Sequence, residues 1–263
     1  MFSSQIIAAL AVGGTLGILV PIAAIVVFKL KNREVRLRTA FIGMGTFFVF
    51  ALVLEQLLHL AVSSAIGTGG IGFGIYAALA AGVFEETGRL VAYKTLMKRE
   101  GTLKNAVFMG IGHGGFEAAA TMGFSMITYL VIALTANGYG GAEAFLEATK
   151  NNGSELTREN MKTTLETLEQ VGFANVFMSL YERIVAMTFH VCMSVWVYKA
   201  VTHKTPLYPA AIAAHALLDV PAVLFQLGFV TNIAIVYVIM TVYVAAVVLA
   251  TVKLTKKFPD KAR

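Results

Sequence analysis

Long apolar stretches alternate with short polar breaks along the whole 263-residue chain. Each stretch is close to the roughly 20 residues that a helix needs to cross the hydrocarbon core of a bilayer. Breaks such as Gly67-Thr68-Gly69-Gly70 and Thr205-Pro206 separate them. The pattern predicts an all-α membrane bundle of about seven transmembrane helices in a single domain over residues 1–263. The predicted spans are 5–28, 39–64, 72–93, 105–134, 175–198, 207–229 and 231–252.

Composition agrees with this pattern and excludes a soluble globular protein. Hydrophobic residues make up 57% of the chain and charged residues only 14%, against about 25% charged in soluble domains. The single cysteine, Cys192, excludes an internal disulfide framework. The first apolar stretch has its basic residues behind it, which is not the order of a cleavable signal peptide. We therefore expect a multi-pass protein of the cell membrane, with lipid as its surroundings.

The basic residues predict how the helices are oriented. Three lie in the connection at 136–174: Lys150, Arg158 and Lys162. Sixteen lie on the opposite side: Lys29, Lys31, Arg33, Arg36, Arg38, Lys94, Lys98, Arg99, Lys104, Lys199, Lys204, Lys253, Lys256, Lys257, Lys261 and Arg263. By the positive-inside rule the N-terminus is outside and the C-terminus is cytoplasmic. The net charge of +6 thus reflects topology, and we expect no nucleic-acid partner.

One sizeable polar segment, at about 136–174, is predicted to lie outside the cytoplasm. Within it, Met161, Leu165, Leu168 and Val171 recur at helical intervals. Residues 157–171 are therefore predicted to form an amphipathic helix. This helix either lies on the outer membrane surface or covers the mouth of a cavity, or it belongs to an ordinary extramembrane loop.

Ionisable residues inside the predicted spans are the strongest indication of function. Each costs on the order of 2.5–3.5 kcal/mol in the centre of a membrane helix, so it normally has a partner and a role. They are Glu55, His59, Glu85, Glu86, Arg89, His113, Glu117, Glu182, Arg183, His190, His215 and Asp219.

Several of these residues are predicted to share one depth. Counted from the cytoplasmic ends of their spans at ~1.5 Å per residue, Glu85, Glu86, His113, His190 and His215 lie roughly 11–14 Å in. We expect the imidazole and carboxylate groups of this layer to converge on one centre. Any single histidine among them is equally explained as a hydrogen-bonded interior residue, but their common depth favours a site.

The spacing indicates which groups share a helix face. His113 and Glu117 are four residues apart, as are His215 and Asp219. Such a set can hold a divalent metal and leave a position open for water, while a neighbouring carboxylate serves as general base. Asp219 is the expected acceptor that orients His215.

Three other groups are interpreted structurally. Glu55 and His59 lie nearer the outer end of their span and are expected to form a hydrogen-bonded pair. Glu182 and Arg183 are expected to form an internal ion pair. Arg89 is read first as the countercharge of Glu85 or Glu86, with a direct role in chemistry as the alternative.

These motifs resemble those of the YhfC family of intramembrane metalloproteases and, more distantly, of PrsW and the CAAX-prenyl endopeptidase and bacteriocin-processing group. The resemblance covers roughly residues 80–225. It is carried by Glu85-Glu86-Thr87-Gly88-Arg89, by the string Gly112-His113-Gly114-Gly115-Phe116-Glu117, and by His215-x-x-x-Asp219. Met109 stands where the CAAX group has Phe, which argues against a prenylated substrate.

The resemblance implies proteolysis of a membrane-associated protein or peptide. It implies Glu85 as general base, with Glu86, Arg89 and Asp219 as supporting catalytic residues. The expected metal ligands, for Zn²⁺ or another divalent metal, are His113, Glu117 and His215 from the matching motifs, together with His190 from its common depth. A metal-free mechanism, in which glutamate and histidine activate the water, stays open.

The alternative function is a proton- or ion-coupled transporter. Buried glutamate and histidine chains also form proton relays in carriers. The sequence has no internal repeat and no paired broken helices of the kind that transporters use. A third reading is a non-enzymatic receptor or chaperone on the same scaffold.

Overall fold

A computed structural model describes residues 1–67, 70–98, 100–149 and 155–260, which form helices joined by short turns. The helices are α1 (Ser4–Lys31), α2 (Leu37–Thr46), α3 (Gln56–Ile66), α4 (Ile71–Lys94), α5 (Leu103–Ala118), α6 (Ser125–Gly138), α7 (Ala142–Ala148), α8 (Glu155–Glu169), α9 (Phe173–His203), α10 (Leu207–Gln226) and α11 (Ile233–Lys257). The described ranges contain no strand, which confirms the all-α class.

Two of the predicted spans contain π-helical segments. Phe47–Glu55 joins α2 to α3, and Ala119–Phe124 joins α5 to α6, so each of these spans is one continuous helix with a widened stretch. Six residues named in the sequence analysis lie outside the described residues: Thr68, Gly69, Arg99, Lys150, Lys261 and Arg263.

Six helices in the described part of the chain are long and apolar enough to cross a membrane. They are Ser4–Lys31, Leu37–Ala65, Leu103–Gly138, Phe173–His203, Leu207–Gln226 and Ile233–Lys257. The seventh predicted span corresponds to α4, which has 24 residues but includes Glu85, Glu86 and Arg89. Because of these charges, α4 does not belong to that group of six.

Contacts divide the chain into two compact units. One comprises Met1–Val20 and Ala118–Arg183, and the other Pro21–Glu117 and Ile184–Arg263. In the first unit, Leu165 and Leu168 of α8 are buried in a cluster with Phe2 and Leu10 of α1. The apolar face read from the sequence therefore packs on the chain's own helices.

In the second unit, glycines allow close helix packing. A Cβ at Gly43 of α2 would overlap the backbone of Met109 on α5, and one at Gly82 of α4 would overlap Ile212 on α10. A Cβ at Gly110 of α5 would overlap the backbone of Val191 on α9. These contacts require glycine because no other residue permits such close backbone approach. They bring α2, α4, α5, α9 and α10 together around the ionisable residues.

Candidate active site

Glu85 of α4 lies at the centre of the buried polar cluster. Its Oε2 is 2.8 Å from His113 Nε2 and 3.7 Å from His190 Nδ1. Its Oε1 is 3.8 Å from His215 Nε2. All four side chains are buried. Imidazoles from α5, α9 and α10 thus surround one carboxylate, and the layer predicted from depth is a single cluster in the structure.

Glu86 points to a different set of partners because neighbouring side chains on a helix diverge by about 100°. Its Oε1 is paired with Arg89 Nη1 and is 2.7 Å from His215 Nδ1. Neither Glu86 nor Arg89 has any exposed surface. Arg89 also approaches Glu85 Oε2 at 3.7 Å, so its guanidinium is the countercharge of both glutamates, as expected.

Thr46 of α2 fixes the tautomer of His113. Its hydroxyl lies 2.7 Å from the Gly43 carbonyl oxygen and 3.0 Å from His113 Nδ1. A hydroxyl has one proton, and the carbonyl can only accept it, so His113 Nδ1–H is assigned as donor to Thr46. In a neutral ring, His113 Nε2 then presents its lone pair to Glu85 Oε2.

Two lone pairs 2.8 Å apart repel unless a positive charge lies between them. Either a proton or a metal ion satisfies this requirement. The contact between Glu85 and His113 therefore has to hold either a proton or a metal ion.

His190 is held at both ring nitrogens. Arg89 Nη2 is 2.8 Å from Nδ1, and a guanidinium can only donate, so Nδ1 accepts. Nε2 then carries the proton and is paired with the Glu117 carboxylate. His190 has to release one of these contacts before it can bind a metal.

The donor set as a whole fits a divalent metal. Glu85, His190 and His215 each offer one ligand atom, and these atoms lie within 4.8 Å of one another. Imidazole nitrogen and carboxylate oxygen are the ligands of catalytic zinc sites. Glu86 on His215 Nδ1 is the outer carboxylate that such a histidine ligand usually has. Within the described residues, Glu86 Oε2 and Arg89 Nε have no hydrogen-bond partner, so the site has unused polar capacity.

The sequence assigned some partners differently. His215 was expected to be oriented by Asp219, but in the described structure the carboxylate hydrogen-bonded to its Nδ1 is Glu86. The rotation of α4 about its axis determines which carboxylate reaches His215. The spacing of residues along α10 contains no information about that rotation. Glu117, a predicted ligand, contacts His190.

The residues read as structural pairs do form pairs. His59 Nε2 is 3.1 Å from Glu55 Oε1, and its Nδ1 is 2.9 Å from the Tyr76 hydroxyl. Arg183 is paired with Glu182. Its Nη1 also donates to the Thr121 hydroxyl at 2.9 Å.

Thr46 and Tyr76 are the partners that the sequence reasoning missed. Threonine and tyrosine are common in apolar helices, and neither residue stands at a distinctive spacing from its histidine. The close approach around Gly43 is what brings Thr46 to His113, and it is not visible in one sequence.

Comparison with known proteins identifies the family. The family model described as YhfC intramembrane metalloprotease matches residues 16–240, most of the chain. The chain belongs to the YhfC family. It is also 34% identical over 265 residues to the uncharacterized membrane protein YhfC of Bacillus subtilis (strain 168). That match covers 98% of this chain and 100% of the relative. No solved structure matches the chain.

Membership of the YhfC family agrees with the six apolar helices, and the chain is a multi-pass membrane protein. The matched range includes the entire cluster from Glu85 to Asp219. The family description is that of a metalloprotease, and it does not favour the transporter alternative.

Proposed function

We propose that this chain is an intramembrane protease that hydrolyses a peptide bond of a membrane-associated protein or peptide within or near the bilayer. The observation that carries the proposal is the Glu85 carboxylate, buried among three imidazoles in a chain of the YhfC family. Such buried ionisable groups are costly in a membrane helix and mark functional sites.

In the proposed reaction, Glu85 is the general base. It takes a proton from a water molecule as the water oxygen bonds to the scissile carbonyl carbon. His113 Nε2, 2.8 Å from Glu85 Oε2, holds or passes on that proton. The proton then reaches the amine as the carbon–nitrogen bond breaks. Proton transfer by positioned groups of this kind contributes typically 10²–10⁴-fold to a rate.

Zn²⁺ or another divalent metal is the proposed cofactor. His215, His190 and Glu85 Oε1 would hold it, with His113 beside them. Bound there, a divalent metal polarises a carbonyl and lowers the pKa of a water molecule. Glu86 orients His215, and Glu117 orients His190, in place of the direct ligand role that the resemblance implies for Glu117. Arg89 balances the charge of Glu86, and Asp219 lies one helical turn beyond His215.

The decisive test compares membranes of cells that produce the wild type or Glu85→Gln. Mass spectrometry of new protein termini should find cleavage products that require the wild type and disappear with Glu85→Gln. Glu182→Gln, which alters an ion-paired carboxylate outside the cluster, is the control and should keep them. Products that survive in Glu85→Gln would remove Glu85 as base, and the absence of wild-type products across membrane-protein substrates would argue against proteolysis.

We also propose that α4 is the seventh span, with the N-terminus outside and the C-terminus cytoplasmic. At ~1.5 Å per residue its 24 residues extend about 36 Å, enough for a hydrocarbon core of about 30 Å. Its Glu86 and Arg89 are fully buried, so they do not face lipid.

Cysteine labelling tests this topology. Tyr139→Cys should react with an impermeant maleimide on intact cells, and Lys98→Cys only after permeabilisation. Both positions are exposed, and the native Cys192 is buried and should contribute little signal. The reverse labelling pattern would invert the topology.

A further inference from the structure

An apolar groove lies beside the cluster, between α2 with its π-helical extension and α4. One wall is the helix face from Arg38 to Phe50, and the other runs from Gly88 of α4 to Leu96, in the turn just after that helix. The groove has a volume of about 400 Å³. Two of its apolar side chains, Phe41 and Leu96, are more than half exposed.

The length of the groove corresponds to one leaflet. Twelve residues separate Arg38 from Phe50, or roughly 18 Å at ~1.5 Å per residue. Half of a hydrocarbon core is roughly 15 Å. An occupant that follows the groove therefore extends from the membrane surface to about mid-bilayer, as an acyl chain does, whereas a transmembrane peptide continues through both leaflets.

The chemistry of the walls also favours an acyl chain over an extended peptide. Among the lining residues only Arg38 and Thr46 have polar side chains. The Thr46 hydroxyl is already bonded to Gly43 and His113. An extended peptide would have unsatisfied amide groups here, each costing several kcal/mol in hydrocarbon, whereas an acyl chain has none.

The mouth of the groove is positively charged. Arg36 and Arg38 both contact Glu100 Oε1, at 3.2 and 3.3 Å. Two guanidinium groups thus share one carboxylate, which leaves one positive charge in excess. The Arg38 side chain is 58% exposed and can reach a phosphate group at the membrane surface.

We infer that this groove binds one anionic phospholipid, with its phosphate at Arg38 and one acyl chain along the walls to Thr46 and Phe50. The bound chain lies against the residue that fixes the His113 tautomer. Lipid occupancy at this point covers the side of the cluster between α2 and α4 and excludes water from it.

Glycine substitutions test the acyl-chain site. A Cβ at Gly45, which lines the groove, meets no atom within 4 Å, so Gly45→Phe fills the groove without a backbone clash. Gly72→Phe is the matched control, since Gly72 is equally open and lies on α4 outside the groove. Native mass spectrometry of the delipidated protein should show one dioleoyl phosphatidylglycerol retained by the wild type and Gly72→Phe, and lost in Gly45→Phe.

Arg38→Gln tests the head-group contact. One basic residue near an anionic surface contributes about a fivefold preference, so wild type should prefer phosphatidylglycerol over phosphatidylcholine and Arg38→Gln should lose that ~5-fold factor. A phosphatidylglycerol with a diazirine on its acyl chain should label Phe41, Val49 and Leu96.

The outcomes are separable from proteolysis. Glu85→Gln should bind the lipid like the wild type, because Glu85 does not line the groove. Thermal unfolding of each variant checks that it folds. Undiminished binding in Gly45→Phe, equal loss in Gly72→Phe, or labelling elsewhere would overturn the site.

Discussion

Two clusters of the same chemistry, each with a buried glutamate, occur in the unit that comprises Pro21–Glu117 and Ile184–Arg263. One is centred on Glu85 and three histidines, and the other consists of Glu55, His59 and Tyr76. Both glutamates are 6% exposed, so burial does not distinguish them.

The arrangement of hydrogen-bond donors and acceptors does distinguish the two clusters. With Tyr76 as donor to His59 Nδ1 and His59 Nε2–H as donor to Glu55, every donor in that chain has an acceptor without an added cation. In the other cluster, the lone pairs of Glu85 and His113 face each other. A satisfied chain is structural, whereas facing lone pairs need a cation. The difference, more than burial, separates a candidate site from a scaffold pair.

The largest expected effect comes from exchanging matched histidines. His113→Gln should lower the cleavage rate by roughly 10²–10⁴-fold, because it removes a group positioned for proton transfer. His59→Gln should leave the rate close to that of the wild type. Initial rates on a substrate identified from the terminal-peptide experiment give the comparison, and equal losses in both variants would erase the distinction between the clusters.

Stability should be most sensitive at Arg89. Arg89→Met leaves Glu86 charged and fully buried, which should cost about 3–5 kcal/mol in the free energy of unfolding. Removing both charges with Glu86→Gln and Arg89→Met should recover part of that loss. Unfolding in mild detergent measures both, and a double variant less stable than Arg89→Met would show that the charge is not the cause.

Metal affinity should show whether Glu86 or Asp219 is the carboxylate that orients His215. Glu86→Gln should weaken zinc binding by roughly 10–100-fold, because it alters the acceptor on His215 Nδ1. Asp219→Asn is the control and should have the smaller effect. Metal content after dialysis against graded chelator provides the measurement, and the opposite order would restore Asp219 as the orienting residue.

The smallest effect is expected at Thr46. Thr46→Val should cost about 1 kcal/mol of stability, the usual value of one hydrogen bond, and should also slow cleavage. Thr251→Val is closely matched, since Thr251 accepts from Trp196 Nε1 and donates to the Val247 carbonyl, both at 2.8 Å. It should cost similar stability without the loss of rate. If both variants slow cleavage equally, Thr46 has no specific role at His113.

The helices and the grouping of the site residues were accessible from the sequence because both depend on distance along the chain. Apolar length predicted the spans, and counting from their ends placed Glu85, His113, His190 and His215 in one layer. Helix rotation was not accessible in this way. It decides that Glu86 meets His215, and it depends on packing between helices, such as the close approach of Gly82 to the backbone of α10.

The π-helical stretch Phe47–Glu55 also constrains chain length. Its buried residues, Phe47, Ala51 and Glu55, recur every four positions. A π-helical turn is wider than an α-helical turn and contains more than 3.6 residues. A one-residue deletion here that kept the helical pitch would therefore turn the following helix by about 100° and carry His59 away from the Tyr76 hydroxyl that it now contacts. Most of this stretch should tolerate exchange among apolar residues while tolerating no change in their number.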